Sequence, residues 1–222
     1  MSKKKIGLVY TTISAIQPIM NYFTENAPEY QLINYVDGYL MEMIREDGGI
    51  TDRSVSRMLD MIGKACADGA DAILLTCTIF SPYQPMFSSI FSVPIICPDG
   101  AMQDQVSRLG GKTAIVCSFP GTIEPTKKLY LEYCRNNGMP ETVDMYVVPE
   151  AYAASQLGDL EECNRHIREK VLALDESYDQ IMLAQISISG AMKGTETKRA
   201  KIFSSPASAL EAVRSMVEKT EE

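Results

Sequence analysis

The chain has 222 residues, 45% of them hydrophobic and 23% charged, with 14 Gly and 11 Pro. These values fit a folded globular chain of one large or two small domains and exclude collagen-like, coiled-coil and disordered classes. A net charge of −8 argues against a nucleic-acid backbone or an anionic membrane surface as partner, because the bulk field repels both, but a few local donors still suffice for a small carboxylate.

Short apolar, β-branched runs alternate with longer helical patterns, the signature of parallel strands joined by crossover helices. Lys5-Ile6-Gly7-Leu8-Val9-Tyr10 reads as a strand, Ile13 to Asn26 as a helix and Gln31 to Val36 as a strand. Asp52 is placed to cap a helix through Ala67, in which Val55, Met58, Leu59, Ile62 and Ala65 share one face. Ala72 to Leu75 and Val93 to Ile96 are buried strands. The pattern then restarts: a helix from Asp99 to Leu109 ends at Gly110-Gly111. A strand follows at Thr113 to Cys117, a helix at Glu124 to Asn136, and a strand at Val143 to Val148. A helix at Leu160 to Leu174, strands at Gln180 to Ala184 and Lys201 to Phe203, and a closing helix from Pro206 to Glu218 complete the order.

Two segments recur. Lys5-Ile-Gly-Leu-Val-Tyr-Thr11 resembles Lys112-Thr-Ala-Ile-Val-Cys-Ser118, and Asp71-Ala-Ile-Leu-Leu-Thr-Cys77-Thr78 resembles Asp179-Gln-Ile-Met-Leu-Ala-Gln185-Ile186. The expected fold is therefore α/β, with two pseudo-symmetric domains of mainly parallel sheet and an active-site cleft between them. The expected boundaries are 1–98 with 205–222, and 99–204. Ligands in such sheets sit beyond the carboxyl ends of the strands. That rule selects Thr11, Cys77, Ser118 and Gln185 as candidates for one cleft.

Several chemistries are excluded. The six cysteines form no CxxC pair, so neither a zinc cluster nor a disulfide scaffold is legible, and free thiols are expected. The single histidine, His166, lies in a highly charged helical segment and reads as a solvent-exposed helix residue, which leaves no Ser-His-Asp triad or multi-histidine metal site. No metal site is expected. No apolar run reaches the ~18 residues of a membrane span. Met1-Ser2-Lys3-Lys4-Lys5 leads straight into a strand without a signal-peptide pattern, so the cytoplasm is the expected compartment. The tail Glu218-Lys219-Thr220-Glu221-Glu222 reads as a solvated end.

Thr76-Cys77-Thr78 carries the most chemical information. Cys77 ends an apolar strand and precedes the turn Ser81-Pro82-Tyr83, where unpaired N–H groups and the Thr78 hydroxyl would hold a carboxylate and lower a thiol pKa. A thiolate there can take a proton from carbon. From the residues alone, a small buried hydrophobe fits Cys77 equally well.

Asp71 to Thr78, Val93-Pro94-Ile95-Ile96, Gly111 to Ile123 and the closing Ser205-Pro206-Ala207 together resemble the aspartate/glutamate/hydantoin racemase superfamily over nearly the whole chain. The resemblance implies two pseudo-symmetric α/β domains, no cofactor, a carboxylate-bearing small substrate and a homodimer. It also implies two cysteines on opposite sides of the substrate's α-carbon. Cys77 matches the first, and Gln185 stands at the position of the second, with Ser187 two residues on. Carboxylate binding falls by the same resemblance to Thr11, Thr12, Thr78, Ser118 and Thr122, with Ser187 as a further binding candidate. The implied activity is a cofactor-independent racemase or isomerase acting next to a carboxylate. The alternatives are a single-cysteine decarboxylase or isomerase, or a non-catalytic carboxylate-binding protein.

Overall fold

In the computed structural model, which describes residues 3–219, the chain divides into two compact units, Met1–Pro98 with Ala209–Glu222, and Asp99–Ser208. The outermost tail, Thr220 to Glu222, lies outside the described residues.

The first unit holds a four-stranded, all-parallel sheet of β1 (Lys5–Tyr10), β2 (Gln31–Val36), β3 (Ala72–Leu75) and β4 (Ile95–Ile96) in the order β2-β1-β3-β4. The crossovers are α1 (Ile16–Asn26), α2 (Leu40–Glu46) with α3 (Asp52–Ala67), and α4 (Gln84–Ile90). Parallel sheets bury both faces, and β3 accordingly is apolar and buried at every position. On one face Val9, Ile73, Leu75 and Ile95 pack with Met58, Ile62 and Ala65 of α3 and Phe87 of α4.

The close approach of α3 to β1 depends on Gly7. A Cβ built there would lie 2.9 Å from the Ala65 Cβ and 3.5 Å from the Ala70 Cβ. Both neighbours are fixed to the backbone, so no rotamer relieves the clash. Gly7→Val is expected to cost about 1–3 kcal/mol of stability by overpacking, read as a lower urea midpoint with an unchanged slope. An unchanged midpoint would show that α3 shifts freely.

The second unit repeats the plan with β5 (Thr113–Cys117), β6 (Asp144–Val147), β7 (Gln180–Leu183) and β8 (Lys201–Ser204) in the order β6-β5-β7-β8, again all parallel. On one face α7 (Pro149–Gln156) and α8 (Leu160–Leu174) cover Ala114, Val116, Ile181 and Leu183. On the other, α5 (Pro98–Leu109) and α6 (Ile123–Asn136) cover Ile115, Cys117 and Met182. The closing helix α9 (Ser205–Lys219) begins in this unit and continues in the first.

The internal repeat extends to hydrogen bonds. Ile6 pairs with Ala72 in the first sheet and Thr113 with Gln180 in the second, the positions that the sequence repeat makes equivalent. The Lys5 amide donates to Asp71 Oδ2 at 2.7 Å, and the Lys112 amide donates to Asp179 Oδ2 at 2.8 Å. Each aspartate satisfies the first free donor of a central strand, which sets where that strand begins.

Some local expectations change. Thr51, rather than Asp52, precedes the first turn of α3, and its amide donates to the Ser54 hydroxyl at 2.9 Å. Asp52 is instead inside the first turn, where its charge meets the positive helix end. Likewise α5 starts at Pro98 with Asp99 in its first turn, and Gly110 and Gly111 follow it with φ of 67° and 90°. Helices α2 and α7, which run for only 7 and 8 residues, were not apparent from periodicity. His166 is half-buried rather than exposed, with Nε2 3.1 Å from Glu162 Oε1 one turn earlier.

Asp175, at the end of α8, gives the second unit a pH-sensitive tie. Its carboxylate accepts the backbone N–H groups of Lys198 (2.6 Å), Arg199 (3.0 Å) and Ala200 (2.7 Å), pinning the approach to β8. These amides, Lys198 and Ala200 foremost, hold its carboxyl below the ordinary range. A depressed folded value means the stabilisation is complete above the unfolded value of about 3.9 and disappears as pH falls through the folded one. Asp175→Asn should therefore lower the urea midpoint at pH 7, with the gap to wild type narrowing at an acid pH below the ordinary carboxylate value of about 3.9. An equal gap at both pH values would contradict this.

No described helix is long and apolar enough to cross a membrane.

Candidate functional site

In each unit the two central strands stop level with each other. Val9 pairs with Leu75, and Thr11 and Cys77 each follow two residues later. Val116 pairs with Leu183, and Ser118 and Gln185 each follow two residues later. The Thr76 amide donates to the Val9 carbonyl as the Ala184 amide donates to that of Val116, both at 3.0 Å. The repeat thus sets Thr11 beside Cys77 in the first unit and Ser118 beside Gln185 in the second.

In the first unit, Cys77 is extended backbone (φ −109°, ψ 108°) immediately before a 3₁₀ turn, Thr78–Tyr83, that runs directly into α4. The strand delivers the residue to the sheet's carboxyl edge, and Pro82 helps fix the turn. The Phe80 amide donates to the Cys77 carbonyl at 3.0 Å. Cys77 is only 7% exposed, and its Sγ lies 4.0 Å from the thioether sulfur of Met41 on α2. Thr11 is buried, Thr12 is exposed and Thr78 is half-buried. Two buried hydroxyls in this unit have no hydrogen-bond partner among the described residues, that of Tyr10 at the end of β1 and that of Ser81 in the turn after Cys77. Burial alone keeps the Tyr10 phenol protonated far above its ordinary range.

The second unit has a different chemistry at the equivalent place. Gln185, also extended and also ahead of a 3₁₀ turn (Ile186–Ile188), turns its side chain onto the end of β5. Its Oε1 accepts the Ser118 amide at 2.6 Å, the Ser118 hydroxyl at 3.0 Å and the Phe119 amide at 3.4 Å. Backbone N–H groups only donate, so the carbonyl end of the glutamine must face them. Phe119 then tilts against Tyr152 with ring centroids 5.0 Å apart, in space left by the bare backbone of Gly121. Thr122 lies just ahead of α6, and its hydroxyl donates to the Phe119 carbonyl at 2.7 Å. Ser187 sits half-buried inside the turn.

Burial raises four of the other five thiols. It pushes the Cys117 thiol up to about 11 against the opposing Thr122 hydroxyl, and it also raises Cys66, Cys134 and Cys163. These four stay protonated and non-nucleophilic at neutral pH. Among the described residues, no three of His, Cys, Asp and Glu come together as a metal site requires.

The sequence placed Ser81 in the turn after Cys77 but gave no sign of its unpartnered hydroxyl, and it did not single out Phe119 or Gln103. Gln103 lies on α5, fully buried, with neither amide atom partnered among the described residues. Nothing in the sequence distinguishes a packed glutamine from a stranded one.

No protein-family model matches this sequence, and no curated protein matches it either. Solved structures do. An aspartate racemase from Picrophilus torridus superposes with TM-score 0.69 over 96% of this chain and 94% of its own, at 14% identity. Glutamate racemase isoform RacE1 from Bacillus anthracis gives 0.71 over 99% and 84%, also at 14% identity. The fold is that of these racemases. Allantoin racemase from Klebsiella pneumoniae shares it as well, at 0.68 and 15% identity over 98% of this chain and 89% of its own. Since each superposition spans almost the entire chain, both units of the racemase fold are present. The family resemblance read from the motifs thus holds at the level of fold.

Proposed function

We propose that the protein is a cofactor-independent enzyme of the isomerase kind that moves a proton at the carbon next to a carboxylate, with Cys77 as the acid/base. The observation that carries this reading is the placement of Cys77: a nearly buried thiol at the carboxyl edge of a central strand, level with Thr11 and ahead of a tight turn. The racemase fold of the neighbours supports the reaction class. The amides and hydroxyls of Thr11, Thr12 and Thr78 supply carboxylate donors, and the unpartnered Tyr10 and Ser81 hydroxyls are further groups that a polar ligand would satisfy.

The thiolate removes the α-proton, leaving an enolate-like carbanion, and the same thiol returns a proton drawn from solvent. Racemisation at a useful rate needs a second acid/base. The repeat puts Gln185 at the matching position, where the amide has no proton chemistry near neutral pH and its carbonyl is already hydrogen-bonded. That observation favours one-sided chemistry, a single-cysteine isomerase or decarboxylase, over two-thiol racemisation. It equally supports a rival reading in which the protein binds carboxylates without turnover.

The deciding experiment incubates the protein with single enantiomers of amino, hydroxy and aryl-substituted carboxylic acids in deuterated water. Proton NMR scores α-deuterium and chiral chromatography scores inversion, while released carbon dioxide is measured separately. The expected result is deuterium incorporation or carbon dioxide release with little inversion. Saturable binding of an acid with neither outcome would establish the non-catalytic reading. Brief alkylation at neutral pH, mapped by mass spectrometry, should modify Cys77 before Cys66, Cys117, Cys134 or Cys163, whose thiols burial keeps protonated.

A further inference from the structure

The second unit contains three donors that converge on one point: the Ser118 amide, the Ser118 hydroxyl and the Phe119 amide. All three meet a single oxygen, Gln185 Oε1. Two adjacent backbone amides and a hydroxyl directed at one oxygen form the kind of donor set that holds a carboxylate or an oxyanion. Ser118 is 2% exposed, so its amide and hydroxyl are shielded from the water that would otherwise weaken them, while Phe119 lies at the exposed rim. A peptide-like carbonyl carries less negative charge than a carboxylate oxygen, so the group seated there is the weaker of the two natural occupants.

We infer that Gln185 is a specificity-determining plug, an internal side chain whose carbonyl occupies a carboxylate-binding nest and keeps the second unit closed to carboxylate ligands. The nest is a feature of this unit alone; only the name of its ligand class rests on the reading proposed above. The repeat shows what the plug replaces. In the first unit the residue beside Thr11 is Cys77, whose short side chain has no carbonyl to place against the Thr11 and Thr12 donors. One glutamine therefore makes two related edges unequal: one carries a thiol and the other is filled from within. The length of the side chain is essential, since it must cross from the end of β7 to the end of β5. Asparagine, one methylene shorter, would not reach the same oxygen position.

The test uses the full chain labelled with ¹⁵N, with sodium acetate as the probe. In wild type the Ser118 and Phe119 amide resonances should show no saturable shift on adding acetate. In Gln185→Ala those two amides should shift together along one binding curve, with acetate held about tenfold or more tighter than by wild type, the gain expected when hydrogen bonds to a charged group become available. The same response of these two amides in both proteins, or acetate binding that leaves them unmoved in Gln185→Ala, would overturn the inference. Should Gln185→Ala fail to fold, Gln185→Glu provides the measurement, since the side chains are nearly isosteric. Its carboxyl, titrated by ¹³C NMR, should ionise at least about one unit below the ordinary glutamate value of ~4.3, because three donors favour the charged form. An ordinary value would mean that no such nest exists. Neither readout depends on turnover, so an inactive Cys77 variant leaves this test intact, and failure here does not touch the role of Cys77.

Discussion

Cys77→Ala should lower α-proton exchange on the best substrate by about 10²–10⁴-fold, the range expected when an essential acid/base is removed. Stability should fall by only about 1 kcal/mol, because a small side chain is truncated to one that still fills most of its space. Cys77→Ser separates chemistry from packing further. Serine keeps the shape but needs a partner base to act as a nucleophile or base, and the only histidine of the chain, His166, is committed to the α8 surface beside Glu162. Both variants are therefore expected to be inactive and folded. A Cys77→Ala protein that exchanges within a factor of two of wild type would remove Cys77 from the mechanism and leave the buried-hydrophobe reading.

The fold was legible because its determinants are local and periodic. Apolar runs such as Ala72–Leu75, buried at every position, suit central parallel strands, and the recurrence of Asp71 and Asp179 marks two strands started by the same side-chain contact. What periodicity could not show were elements of only about two turns. Leu40–Glu46 and Pro149–Gln156 are such cases, and they become helices because the sheet beside them needs cover.

The site was legible in part, for a different reason. A residue's place at a strand end follows from chain order, and register alone then sets Thr11 with Cys77 and Ser118 with Gln185. The direction of a side chain does not follow from order. Glutamine at the second position reads in sequence as a lost cysteine, whereas in the structure it is a bonded carbonyl meeting three donors. The shift at Cys117 was likewise invisible, because it arises from burial by residues distant in sequence, among them Met102 and Val106 of α5.

Phe80→Ala should cause the largest loss of stability, about 3–5 kcal/mol, as for a fully buried aromatic truncated to a methyl group. Phe80 has no exposed surface and packs with Tyr83 and Phe87 at ring-centroid separations of 6.0 and 6.4 Å. Its backbone also holds the turn after Cys77 through the hydrogen bond that its amide donates to the Cys77 carbonyl. The ring thus anchors the segment that orients the thiol, and loss of the anchor should slacken the thiol as well as the core. The urea midpoint measures the first effect. The second is read as the exchange rate per folded molecule, at a temperature where circular dichroism shows the variant still native. Misplacing a reacting group by about 1 Å can cost about 10²-fold, so a drop of tenfold or more is expected beyond the loss of folded protein. Phe80→Leu, which retains most of the apolar volume, should recover the larger part of both quantities. If stability falls while each folded molecule exchanges at the wild-type rate, the turn does not position the thiol, and Phe80 belongs to the core alone.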